Sequence, residues 1–118
     1  MDVKIKVFKN SEAKYESFYG PPGRVDVASY VDHEISDRLA FGLTVFQDCS
    51  MPYVLPYDDA LYVLQGELVF RTDEQIYRCG PGDVLWTPTG AKGVFEATGY
   101  CKVFYAVAPS NWVELVNF

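Results

Sequence analysis

From Tyr62 onward the chain is a succession of short runs rich in Val, Phe, Tyr and Leu, cut at roughly ten-residue intervals by clusters of Gly, Pro and Asp. Apolar runs of that length, broken that often, do not complete long helices; they build the strands of a sandwich or barrel. Leu61 to Phe70 is interrupted by Gly66, and a lone glycine in a strand pattern marks a bulge or a corner. A polar turn from Arg71 to Gln75 precedes Ile76 to Arg78. Gly80, Pro81, Gly82 and Asp83 then give the strongest turn signal, with glycines free to take positive φ and a proline that fixes its own. Asp83 reads as the turn residue whose side chain caps nearby amides. Val84 to Thr87 restarts a strand that Pro88, Thr89 and Gly90 end, and Val94 to Ala97 with Cys101 to Ala108 is expected to form a final hairpin around Thr98 and Gly99.

Upstream, Gly42 to Phe46 and Tyr53 to Tyr57 read as separate strands with Asp48 to Ser50 between them. GPPGR at Gly20 to Arg24 is a loop, while Val3 to Phe8 and Val25 to Val31 have the β-branched alternation of edge strands. A turn of helix is expected in Ser11 to Ser17. No repeat, low-complexity tract or long amphipathic helix is present.

With 118 residues and 49% hydrophobic content, the chain supplies one core and not two. The expected organisation is a single all-β domain, with edge strands and a loop over 1–37, a barrel over 38–112 and a tail over 113–118. A net charge of -6 with no basic run argues against nucleic acid as a partner. No apolar run reaches membrane-spanning length and the first residues lack a signal-peptide core, so no membrane partner and a cytoplasmic location are expected. Cys49, Cys79 and Cys101 contain no CxxC pair and read as buried, reduced thiols.

Two stretches carry a recognisable spacing. Gly82, then DVLWT, then Pro88, Thr89 and Gly90 reproduces the second motif of the cupin superfamily, whose histidine position falls on Gly93. Counting back from Gly66 places Asp59 at the carboxylate of the first cupin motif and Tyr53 and Leu55 at its two histidine positions. Within that superfamily, PYVLPYDDALYVLQGEL, GPGDVLWTPTG and FYAVAPSNW resemble the EutQ family of ethanolamine-utilisation cupins, over residues 38–112. The resemblance implies a jelly-roll barrel of the RmlC-like kind, a place in bacterial ethanolamine-type metabolism, an acetate kinase activity and a homodimer, which the 16% aromatic content also suggests.

Cupin metals rest on clustered imidazoles, and this chain has one histidine, His33, distant in sequence from both motifs and read as an exposed loop residue. No metal or other cofactor is therefore expected; magnesium enters only with a phosphoryl-transfer role, for which Asp58 and Asp59 are the carboxylates at hand. No phosphate-cradling GxxxxGK[ST] loop is present.

In the cupin frame Asp59 points inward, where burial raises its pKa. Two readings stand: a general acid or base, or a carboxyl that holds the barrel together through a tyrosine. Tyr53 and Tyr57 share a strand face with Leu55 between them, and Trp86, with Val84, is expected to wall the same pocket. The aromatics either bind a small organic ligand or fill space the metal vacated. Arg71 and Lys102 read as surface charges, as counter-ions to Asp59 or as groups that bind an anionic substrate. The expected function is ligand binding by Tyr53, Leu55, Tyr57, Trp86 and Gly93. A metal-independent isomerase, lyase or acetate-kinase-like enzyme using Asp59, or a non-catalytic sensing domain, are the alternatives.

Overall fold

Two long antiparallel strands run through the molecule, and the rest of the sheet is hung on them. A computed structural model describes residues 3–117. The strands are β1 (Glu16–Tyr19), β2 (Arg24–Val31), β3 (Ala40–Val54), β4 (Asp58–Gln65), β5 (Leu68–Arg71), β6 (Ile76–Cys79), β7 (Val84–Thr87) and β8 (Lys92–Ala108). A 3-10 turn at Asn10–Glu12 and a short helix, α1 (Trp112–Leu115), flank them. The strand order is β1-β2-β3-β8-β4-β7, with β5 pairing β6 and β8. β8 is paired with β3 along nearly its whole length, with β5 along its first half and with β4 along its second. That division closes the sheet into a barrel around one core of Phe46, Tyr53, Leu61, Phe95, Val103 and their neighbours.

Several strand boundaries differ from the sequence expectation. Gly42 to Phe46 and Tyr53 to Tyr57 are not separate strands: β3 continues through Asp48, which sits at φ 44. Thr98 and Gly99 do not turn a hairpin either, because β8 is continuous and only bulges there, opposite Asp48. The Asp48 carboxylate accepts the Gly99 N–H at 2.7 Å, so polar residues that read as turns instead lock two facing irregularities. Across Asp48 the inward positions of β3 change parity, from Thr44 and Phe46 to Met51 and Tyr53.

Gly66 does mark an irregularity, at φ 80 and beside a register shift between Val63 and Gln65. The Asp83 carboxylate accepts the Gly80 N–H at 2.9 Å, and Val25 to Val31 lies in β2. Val3 to Phe8 forms no strand; its alternating Val3, Ile5 and Val7 are 84%, 94% and 77% exposed. These side chains project into solvent, while Phe8 stacks on Tyr30 at 5.0 Å. The three cysteines are free and buried. Among the described residues no helix is long and apolar enough to cross a membrane.

Candidate functional site

Inward side chains of β3, β4 and β8 surround a cavity of about 40 Å³. A space of that size suits a few waters or one small molecule. Tyr53, Tyr57, Asp59, Tyr105, Trp112 and Phe18 contribute to its wall.

The strand period puts Asp59 inside and Asp58 outside. Asp58 is exposed and accepts two hydrogen bonds at 2.8 Å from the N–H and hydroxyl of Thr89, which hold its pKa below the usual carboxylate value. Asp59 is 6% exposed, Oδ1 has no hydrogen-bond partner, and burial pushes its pKa up to about 8. It is therefore mostly a neutral acid at pH 7 when the cavity holds no positive charge.

Tyr53 lies at the end of β3 and Tyr57 in the turn that follows, with their hydroxyls 2.9 Å apart. Burial raises Tyr53 to about 12 and moves Tyr57 further above the ordinary tyrosine value. On β8, Tyr105 faces Leu61 across the ladder. Burial lifts its hydroxyl to about 12, partly opposed by nearby Ser29, yet no hydrogen bond of good geometry forms. Trp112, the first residue of α1, closes the cavity against Phe18, Tyr57 and Tyr105, with ring centres 5.9, 5.4 and 5.6 Å away. Its indole Nε1 is buried without an acceptor.

These observations converge. The buried side-chain nitrogen and oxygen atoms left without a partner among the described residues are Asp59 Oδ1, Tyr105 Oη and Trp112 Nε1, and all three residues line this cavity. Each such atom costs about 1–3 kcal/mol. Buried polar atoms left without a partner are uncommon in folded proteins, and here all three belong to residues of one cavity wall.

The other expected site residues lie elsewhere. Leu55 is 1% exposed in the core and is not in the cavity wall; its N–H and C=O are bonded to Ala91 and Gly90. Gly93 is closed off, since a Cβ there would stand 2.6 Å from the Arg71 carbonyl and 2.8 Å from the Phe70 ring. Trp86 does share a face with Val84, but it is the outer one: the register pairs Ala60 with Trp86 and Asp59 with Thr87, leaving Trp86 58% exposed. Arg71 pairs with Glu96 at 2.6 Å and Lys102 bonds Asn10, so neither reaches Asp59. His33 is exposed near Glu114.

A cupin metal does not fit this donor set. Its ligand positions hold a phenol, an aliphatic side chain, a sterically blocked glycine and one carboxyl. Among the described residues, no three His, Cys, Asp or Glu side chains come together as a metal group.

Phe18, Tyr105 and Trp112 were not singled out as site residues from the sequence. Tyr105 had a signal, the two-residue alternation with Val103 and Val107; Phe18 and Trp112 come from outside the regular pattern and had none.

A closed antiparallel barrel of this topology is that of a cupin. An RmlC-like cupin from Shewanella frigidimarina superposes with a TM-score of 0.68 at 13% identity, over 90% of this chain and 92% of that one. The chain belongs to the EutQ family: the family model, described as ethanolamine utilisation protein EutQ, matches residues 1–114. A putative ethanolamine utilization protein Q from Salmonella typhimurium superposes with a TM-score of 0.83 at 28% identity, covering 91% of this chain and 88% of that chain. The acetate kinase EutQ of Escherichia coli is 32% identical over 112 residues, which are 94% of this chain but 48% of that protein. The chain thus spans about half the length of that relative.

Proposed function

We propose that this chain is a cytoplasmic small-molecule-binding cupin of ethanolamine-type metabolism, and that the Asp59–Tyr105–Trp112 cavity is its ligand site. The observation that carries this reading is that the three buried polar atoms left without a partner all belong to residues lining one cavity. Of the residues expected to bind ligand, Tyr53 and Tyr57 belong to this site, with Asp59 as its acid. Leu55, Trp86 and Gly93 do not.

The Escherichia coli relative's name speaks of acetate kinase. At this cavity, nucleotide-dependent phosphoryl transfer has neither room nor charge, since no Lys or Arg is in the wall. Asp58 and Asp59 face opposite ways and offer magnesium no shared site. A second reading, acid–base catalysis by Asp59, is favoured by one observation: its pKa is lifted toward neutrality, where a general acid or base is most effective.

The reading is tested by thermal-shift titration with two- to four-carbon amines, alcohols and carboxylates, and with ATP. Stabilisation of the wild type by a small molecule, reduced in Asp59→Asn, is expected. ATP alone raising the melting temperature would overturn it.

We also infer a homodimer. Phe41, Ala106, Ala60 and Trp86 form one apolar row across the outer sheet, and Phe104, Tyr62 and Val84 continue the next. Trp86, Val84 and Tyr62 are exposed, the arrangement of an interface rather than of a solvated face.

A further inference from the structure

The three unpartnered atoms are chemically unlike one another, and together they describe a ligand. Asp59 Oδ1 asks for a donor or a positive charge, Trp112 Nε1–H can only donate, and the Tyr105 hydroxyl does either. An occupant that satisfies all three needs a donor at one end and an acceptor at the other.

Charge decides which donor. The wall holds a carboxyl and the rings of Phe18, Tyr53, Tyr57, Tyr105 and Trp112, with no Lys, Arg or His. Aromatic faces are electron-rich and attract cations. A carboxylate ligand would meet those rings and Asp59 with no counter-ion. An ammonium would pair with Asp59.

We infer that the cavity binds a small amino alcohol, its ammonium group against Asp59 Oδ1 and its hydroxyl oxygen accepting from Trp112 Nε1–H beside Tyr105. The inference rests on the reading that this cavity is the ligand site and names the class of molecule that site takes. The room available restricts it to a small member of that class.

Binding is coupled to a proton. The titratable groups facing Asp59 are Tyr53 and Tyr57 from β3 and its turn and Tyr105 from β8, all raised by burial and so neutral throughout the working range. Asp59 alone changes state. Below its pKa of about 8 it is protonated in the empty cavity, so the ammonium ligand must displace a proton to solvent. Affinity then rises about tenfold per pH unit up to that pKa.

The test is calorimetric titration of the wild-type chain with ethanolamine, propylamine, 1-propanol and acetate at pH 6, 7 and 8, in buffers of different ionisation enthalpy. Ethanolamine is expected to bind tightest of the four, releasing close to one proton at pH 6 and tightening about tenfold per unit. Propylamine, lacking the acceptor, is expected to bind about tenfold more weakly, and Trp112→Phe to erase that difference. Acetate binding that weakens with rising pH would overturn the amino-alcohol assignment while leaving the cavity as the site. If none of the four binds at any pH, and ordered waters alone occupy the void in a crystal structure grown with 100-fold excess ethanolamine, both the assignment and the site reading fall.

Discussion

At the scale of single residues, Asp59 carries most of the consequence. Its carboxyl titrates at about 8 in the fold, against about 4 in an unfolded chain. Between those values the native state holds the extra proton, so stability declines as pH rises from about 4 to about 8 and is level above. At about 1.4 kcal/mol per unit the decline totals of order 5 kcal/mol at most. Asp59→Asn is expected to remove that slope and to be the more stable protein at pH 8, by a few kcal/mol; urea titrations at pH 5 and pH 8 check it. The inward aim of Asp59 was legible only through the resemblance to the first cupin motif, whose carboxylate position, seven residues before Gly66, faces the barrel interior. Strand alternation misplaced Trp86: both faces of β7 are apolar, so alternation alone does not say which is inside, and the pairing of Ala60 with Trp86 decides it.

At the scale of elements, the two long strands were the least legible feature. Asp48 and Gly99 look like turn residues singly, and only their pairing across β3 and β8 makes them a bulge that strands pass through. Asp48 at positive φ relies on that contact, and Asp48→Ala is expected to lose about 1–3 kcal/mol from the missing bond and the unfavourable backbone. Gly66 is more demanding. It lies at φ 80, and a Cβ there would stand 2.2 Å from the Tyr100 carbonyl oxygen. Gly66→Ala is expected to cost more than about 3 kcal/mol, or to prevent folding, as chemical denaturation would report. Turn-bounded strands such as β5 to β7 were readable because their punctuation is local; α1 was not, because four residues give no period to read.

For the whole molecule, the closed barrel was foreseeable from the rhythm of runs and breaks, but the site was only partly so. Its wall is completed by Phe18 and Trp112, which lie far apart in sequence and meet only once the sheet has closed. The outer face makes a prediction of its own. If the rows containing Trp86, Val84 and Tyr62 seat a second copy, light scattering will give twice the chain mass, and Trp86→Lys with Tyr62→Lys will halve it without changing the circular dichroism. A monomeric wild type at 100 μM would remove the dimer from the account. The chain's two tryptophans also divide the molecule conveniently: Trp112 closes the cavity, and Trp86 lies outside it, 58% exposed. The central claim, that the cavity is where ligand binds, is therefore tested most directly by the two indole N–H resonances in a proton–nitrogen correlation spectrum during titration with ethanolamine. The account predicts that the Trp112 signal shifts and saturates while Trp86 stays still, and that Asp59→Asn weakens the response. Movement of Trp86 with Trp112 unmoved would contradict it.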